Sequence, residues 1–328
     1  MMTPDLSTLS VAQIRKRFMK RRPTPKVLRL LESDGRSGVR QVYEFLQRKA
    51  DEEKRERRRI SRMLRFERGL WKSGLLHVAG VDEAGIGPLA GPVVAAAVIF
   101  PARCRILGID DSKKLNPELR QEMVEQIRKK AIAIGIGVAS VEEIDGINIY
   151  HAGLLAMKRA VENLPTPPEY LLIDARTIPA IAVPQDGVKR GDALCFSIAA
   201  ASIVAKTYRD RLMESLDSRY PEYGFARHKG YSTPEHQRAL RQFGPSPIHR
   251  RSFLYLEEVC GRCSPLFYSY LAELDRANSV EELQQLKEQW QLASQEFSDY
   301  EQRKFHQRLM RRLKRHEEAR ANSRNICD

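Results

Sequence analysis

GVDEAGIGPLAGP, residues Gly80 to Pro92, is the stretch on which the reading of this chain turns. It follows LLHVA and precedes VVAAAVIF, two apolar runs rich in strand-forming residues. Two adjacent acids, Asp82 and Glu83, close the first run, and glycines at 80, 85 and 87 bare the backbone around them. Successive strand residues point to opposite faces. Both acids therefore serve one site only if the strand ends or twists there, or if one of them contributes a backbone oxygen. The glycines permit either arrangement.

Working outward, the chain separates by texture into three regions. Residues 1–74 are polar, basic and helical in pattern, and ADEEKRERRRISRMLRFERGLW carries only a thin apolar stripe of Ile60, Met63, Leu64 and Leu70. Such a stripe is enough to lie against something and too little for an independent core. Residues 75–260 read as one layered α/β domain. LLHVAGVD, PVVAAAVIF, IAIGIGVASV and EYLLID are expected strands. NPELRQEMVEQIRKKA, NIYHAGLLAMKRAVENL, FSIAAASIVAKTYRDRLMESL and STPEHQRALRQFG are expected helices, the first capped by Asn116 and the last closed by Gly244. Residues 261–328 return to helix in SVEELQQLKEQWQLASQEF and YEQRKFHQRLMRRLKRHEEARA.

The net charge is +14, and it is concentrated. Residues 1–75 hold 21 Lys/Arg against 9 Asp/Glu, residues 76–260 hold 23 against 22, and residues 261–328 hold 12 against 11. A basic arm on a near-neutral body is the footprint of a polyanionic partner, or else a solvated basic helix. No apolar run approaches the roughly 20 residues of a membrane span, and no secretory signal pattern opens the chain. Of five cysteines, Cys260 and Cys263 form one CxxC with no second pair, half of a zinc site, and read as reduced thiols of a cytoplasmic protein.

Four acids stand out by context. Asp82 and Glu83 interrupt a strand, Asp174 ends YLLID, and Asp192 precedes the alanine-rich helix in KRGDALCFS. Strand ends open at the edge of an α/β sheet, where ligands bind. Carboxylates gathered there repel one another unless hard divalent cations neutralise them, as in two-metal phosphoryl transfer. Taken singly, Asp174 and Asp192 read equally well as turn or helix caps. Ser112 and Lys113, in IDDSKKLNPE, stand before a helix N-terminus suited to a phosphate or simply to a capped, solvated loop. Tyr231, in FARHKGYSTPEH, is placed either to stack on a sugar or base or to anchor its loop. HRRSF adds Arg251 as a phosphate contact.

AGVDEAGIGPLAGPVVAAAVI, DDSKKL, EIDGINIYHAGLLAMKRAV, YLLIDA, KRGDALCFSIAAASIVAKTYRD, YGFARHKGYSTPEH and HRRSF occur in one order over residues 75–255. That series resembles the bacterial ribonuclease HII family, type 2 ribonuclease H. The resemblance implies a ribonuclease H-like α/β fold, a mixed central sheet flanked by helices, here with helical N- and C-terminal extensions. It also implies Mg2+- or Mn2+-dependent cleavage of RNA–DNA hybrids, and of ribonucleotides embedded in duplex DNA, leaving 3′-hydroxyl and 5′-phosphate ends. The expected enzyme is a monomer that serves ribonucleotide excision repair in the cytoplasm. The family's catalytic and metal-binding acids fall on Asp82, Glu83, Asp174 and Asp192. Its nucleic-acid contacts fall on Gly85, Ile86 and Gly87, whose backbone is expected to meet a ribose 2′-hydroxyl, and on Tyr231, with Ser112, Lys113, Lys206 and Arg251 as phosphate contacts. The N-terminal arm is similar to one carried by some bacterial members.

Two departures qualify that expectation. The family's turn reads Gly-Arg-Gly or Gly-Lys-Gly, whereas this chain has Gly85-Ile86-Gly87. One charge-assisted contact is worth about 1.5–3 kcal/mol, so its loss weakens binding by roughly one to two orders of magnitude unless another cation compensates. ALCFS after Asp192 replaces a more polar segment. The rival expectations are a hybrid-binding protein with impaired catalysis, motivated by Ile86, and a type 3 ribonuclease H.

Overall fold

Several helices begin in this chain where the sequence supplies a capping side chain. The computed structural model describes residues 6–19, 24–179, 181–253, 255–256 and 263–324. Cys260 of the CGRC pair lies outside them, and Cys263 is buried. Among the described residues two compact units separate: one from residues up to 86 together with 92–213, the other from residues 87–91 together with those from 214 onward.

The first unit opens with four helices, α1 (Val11–Phe18), α2 (Pro25–Glu32), α3 (Ser37–Met63) and α4 (Arg65–Lys72). Ser10 and Thr24 cap α1 and α2 through their hydroxyls. Leu6, Ile14, Phe18, Leu31, Val39, Val42 and Leu46 bury one another in a small core of their own. These residues lie outside the expected stripe; they are scattered in sequence and meet only when three helices pack. The expected stripe behaves differently. Ile60, Met63 and Leu64 join the main core with Phe100, Phe196 and Ile203, so this half of the arm folds back onto the sheet. The helical stretch at residues 50–71 breaks at Leu64, between α3 and α4.

The sheet has five strands: β1 (Val78–Ala84), β2 (Val93–Ile99), β3 (Ala133–Ala139), β4 (Tyr170–Asp174) and β5 (Gln185–Val188). Their order is β3-β2-β1-β4-β5. β1 pairs antiparallel with β2 and parallel with β4, while β2–β3 is antiparallel and β4–β5 parallel, which makes the sheet mixed. β5, QDGV, has no apolar alternation, and sequence reading did not anticipate it. α5 (Pro117–Lys130), α6 (Val141–Glu162), the short α7 (Gly191–Leu194) and α8 (Phe196–Asp217) complete this part of the chain. α6 starts before the expected Asn148, on a capping box from Ser140 and Glu143. Asn148 interrupts it at φ 70°, and its Oδ1 accepts from Tyr150 N and His151 N at 3.0 and 3.2 Å, capping the second segment. α8 lies close on the sheet at Gly80, where an added Cβ would stand 2.1 Å from the Ser197 carbonyl carbon.

The second unit contains the loop 87–91, α9 (Phe225–His228), α10 (Pro234–Phe243), α11 (Pro265–Arg276), α12 (Val280–Leu292) and α13 (Asp299–Arg324). Thr233 caps α10 and Gly244 closes it. α11 was not anticipated, although Ser264 caps it and Pro265 stands at its first position. The last three helices share a core in which Trp290 stacks between Phe297 and Phe305, with ring centroids 4.0 and 3.9 Å away.

Candidate active site

Parallel pairing brings the acids together. Val81 of β1 stands opposite Ile173 of β4, so Asp82 and Asp174 follow as the next residues on neighbouring strands that run the same way. Asp82 is 5% exposed. It accepts from the Glu83 N–H at 2.8 Å and from the Ser202 hydroxyl, which stands 3.0 Å from Ser112 Oγ. Burial raises the Asp82 carboxyl well above its usual range, and repulsion from Glu83 and Asp174 adds to the rise. Burial raises Glu83 as well, with Arg176 opposing. Asp174 is raised by burial and by Asp192, while the Gly191 N–H, donating to its Oδ1 at 2.6 Å, opposes. Asp174 thus caps α7, and the same contact sets Asp192, in the first turn of α7, beside it.

Two cations of the chain stand against this cluster. Lys113 Nζ lies 3.8 Å from Asp192 Oδ2, and Arg176 Nη2 lies 3.4 Å from Glu83 Oε1. Glu83 Oε2 is buried without a hydrogen-bond partner. The donor set, carboxylates without histidine or cysteine, has the chemistry of a site for a hard divalent cation. Among the described residues no three acids, histidines or cysteines already converge as a metal cage. Uncompensated carboxylates repel, and Lys113 and Arg176 now hold two of the four.

The turn after β1 is built around a buried arginine. Gly85 has φ +100°, and a Cβ there would stand 2.2 Å from Arg209 Nε. Arg209, fully buried, donates through Nε to Pro92 O at 3.0 Å. Ile86 is half-buried, and Gly87 is exposed with Tyr231 Cε1 4.0 Å from where its Cβ would be.

The remaining expected contacts differ in accessibility. Lys113 has a side chain 81% exposed, Tyr231 is 41% exposed, and Arg251 is exposed. Ser112 is buried, and Lys206 is bound to Asp210 at 2.7 Å, in a network that includes Arg120.

Sequence reading missed Arg176, Ser202, Arg209 and Glu67. Arg176 follows a strand-ending Asp by two residues, a weak signal, and the other three look like ordinary helix residues. Glu67 of α4 is 2% exposed, and its Oε1 accepts from Ser197 N and Oγ at 2.8 Å and from Cys195 Sγ at 3.2 Å. It thereby satisfies a donor at the start of α8 from a distant segment. The ALCFS departure has its place here: Cys195 is buried, and burial together with Glu67 pushes its thiol well up.

The ribonuclease HII family model matches residues 79–255, and the ribonuclease HII N-terminal domain model matches residues 10–71. Ribonuclease HII of Myxococcus xanthus (strain DK1622) is 51% identical over 260 residues, 78% of this chain and 89% of the relative. Ribonuclease HII of Geobacillus thermodenitrificans (strain NG80-2) is 50% identical over 232 residues, 71% of this chain and 89% of the relative. The crystal structure of ribonuclease H2 from Pyrococcus horikoshii OT3 covers 57% of this chain and 98% of its own, with a TM-score of 0.50 and 27% identity. With a family model spanning over half the chain, relatives near half identity, and Asp82 and Asp174 side by side on two parallel strands, this chain belongs to the ribonuclease HII family of metal-dependent nucleases.

Proposed function

We propose that the chain is an endoribonuclease that cuts the RNA strand of RNA–DNA hybrids and the 5′ side of ribonucleotides embedded in duplex DNA. The products carry 3′-hydroxyl and 5′-phosphate ends. The observation that carries this reading is the juxtaposition of buried Asp82 and half-buried Asp174 on adjacent parallel strands, with Glu83 and Asp192 beside them. Asp82, Glu83, Asp174 and Asp192 are the residues that would hold Mg2+ or Mn2+. When bound, the ions supply positive charge that stabilises the attacking and leaving oxygens of a phosphodiester. Ser202 orients Asp82, the Gly191 N–H orients Asp174, and Arg176 restrains Glu83. Glu83, whose Oε2 has no partner, is suited to position the attacking water or to bind metal.

Gly85, Ile86 and Gly87 present main chain to the ribose 2′-hydroxyl, the group that separates RNA from DNA. Tyr231 stacks on a sugar, and Lys113 and Arg251 meet phosphates. Ser112 and Lys206 have their polar ends on Ser202 and Asp210, so phosphate contacts there require those bonds to exchange. The family matches support a three-part reading: 1–74 as an arm, 75–260 as the catalytic domain and 261–328 as an extension. We assign the enzyme to the cytoplasm as a monomer. No helix among the described residues is long and apolar enough to cross a membrane. The two rivals are not favoured. All four acids are present, and residues 10–71 match the N-terminal domain of ribonuclease HII rather than a type 3 arm.

The test is cleavage of two labelled duplexes, one with a single embedded ribonucleotide and one with a run, in Mg2+ and in Mn2+, beside an Asp82→Asn control. Cutting at the single ribonucleotide that the control abolishes is the expected result. Binding of both duplexes with no cutting of either overturns the catalytic reading.

A further inference from the structure

The turn Gly85-Ile86-Gly87 carries no charge, although it borders a site proposed for a polyanion. The missing charge lies close by in space. A Cβ built on Gly153 of α6 would have Ile86 Cδ1 at 3.2 Å and Arg176 Nη1 at 3.4 Å. The tip of the turn and a guanidinium therefore border the same point, and a side chain at 153 would press on the tip of Ile86.

Arg176 is held there from several sides. Its Nη2 faces Glu83 Oε1 at 3.4 Å, and its guanidinium carbon lies 5.3 Å from the centre of the Tyr150 ring. Its N–H donates to the Asp174 carbonyl at 2.7 Å, following Ala175, whose φ is +56°. Gly187 makes room for this backbone, since a Cβ there would stand 2.9 Å from Arg176 O. About a quarter of the side chain, 26%, remains open to solvent. Nη1 itself is buried and has no hydrogen-bond partner. A guanidinium held with unspent donors beside a cluster of acids has the chemistry of an anion contact, because arginine's fork bridges a carboxylate and a phosphate at once.

We propose that Arg176 supplies the phosphate-binding charge beside the recognition turn, with Ile86 as the apolar wall that holds the guanidinium in place. This inference rests on the nucleic-acid reading above and deepens it. Arginine at position 86 and arginine at position 176 compete for the space over Gly153, so the two positions are coupled: one cation fits and two crowd.

The experiment measures affinity of the full-length protein for an RNA–DNA hybrid in Ca2+ across a salt series, so that binding is read without turnover. Arg176→Gln is expected to weaken binding about tenfold and to lower the salt slope by about one. Arg176→Lys keeps the slope while losing part of the affinity. Ile86→Arg in the Arg176→Gln background restores affinity and slope, whereas Ile86→Arg alone gives no gain. An unchanged affinity and slope in Arg176→Gln overturns the proposal and leaves Arg176 as a restraint on Glu83 alone. Failure of the double variant to recover, with its thermal melt intact, overturns the coupling. If the unmodified protein binds no hybrid, the nucleic-acid reading fails first. Binding by the unmodified protein with indifferent variants sinks only this inference.

Discussion

Gly85→Ala and Gly87→Ala, two residues apart in one turn, are expected to part company completely. At Gly85 the backbone sits at φ +100°, and a methyl group would fall 2.2 Å from Arg209 Nε, 2.6 Å from its Cδ and 2.9 Å from Pro92 O. Holding an L-residue in left-handed backbone costs about 1–2 kcal/mol. Pushing Arg209 aside also breaks its Nε bond to Pro92 O, 3.0 Å long, and a lost hydrogen bond to a charged group costs about 1.5–3 kcal/mol. Alanine returns about 0.4–1 kcal/mol by stiffening the unfolded chain. The net loss for Gly85→Ala is therefore about 2–4 kcal/mol. Gly87 is exposed, and its added methyl would meet only Tyr231 Cε1, at 4.0 Å, an ordinary contact. Gly87→Ala should stay within about 0.5 kcal/mol of the parent, as surface changes do. Urea unfolding followed through Trp71, which packs against the main core of the first unit, measures both. A Gly85→Ala loss below about 1 kcal/mol, or equal losses at the two positions, would refute the picture of a turn wrapped on Arg209.

Other expectations follow from the same contacts. Asp82→Asn should raise the melting temperature of the metal-free protein while abolishing cleavage, because burial and repulsion from Glu83 and Asp174 disfavour the charge it removes. The sign for these acids is fixed by their raised carboxyls: metal-free stability of the first unit falls as pH rises from about 4 through the folded values, which a melt series read at Trp71 checks. Glu67→Ala should cost about 1–3 kcal/mol, because Ser197 N and Oγ lose their acceptor, and should speed labelling of Cys195 by a thiol reagent. Unchanged labelling would mean that Glu67 does not seal the start of α8. In the second unit burial lowers His236 from 6.5 to about 4 and His249 from 6.5 to about 3. The unfolded chain then binds more protons below pH 6.5, so stability falls as pH drops from 6.5 toward 4. His236 alone accounts for about 3 kcal/mol of that loss, at about 1.4 kcal/mol per pH unit, and Trp290 fluorescence reports it; a flat profile from pH 7 to about 4.5 would contradict it.

Much of the catalytic architecture was legible from residues 80–92 and the motifs after them. The strands around Asp82, the caps at Asn116 and Thr233, the stop at Gly244 and the acid ending YLLID all stand where the sequence placed them. Each rests on neighbours within a few residues: alternation of apolar side chains, a hydroxyl or amide before a helix, a glycine where φ must be positive. The four acids were visible as anomalies for the same reason, being carboxylates where local pattern calls for strand or turn.

Tertiary structure alone decided which of these features meet. Asp82 and Asp174 lie far apart in sequence, and only the parallel register of β1 with β4 makes them neighbours. β5 became a strand because β4 offered it an edge, although QDGV has little strand character of its own. The small core of α1–α3 and the bond from Glu67 to Ser197 depend on segments that no local window contains. Arg176 stands against Glu83, and it borders Ile86 over Gly153 of a different helix. The chain's local chemistry thus determined which residues were suited to a site. Burial, strand register and close packing, which sum over contacts distant in sequence, decided which residues share it and which charges face one another.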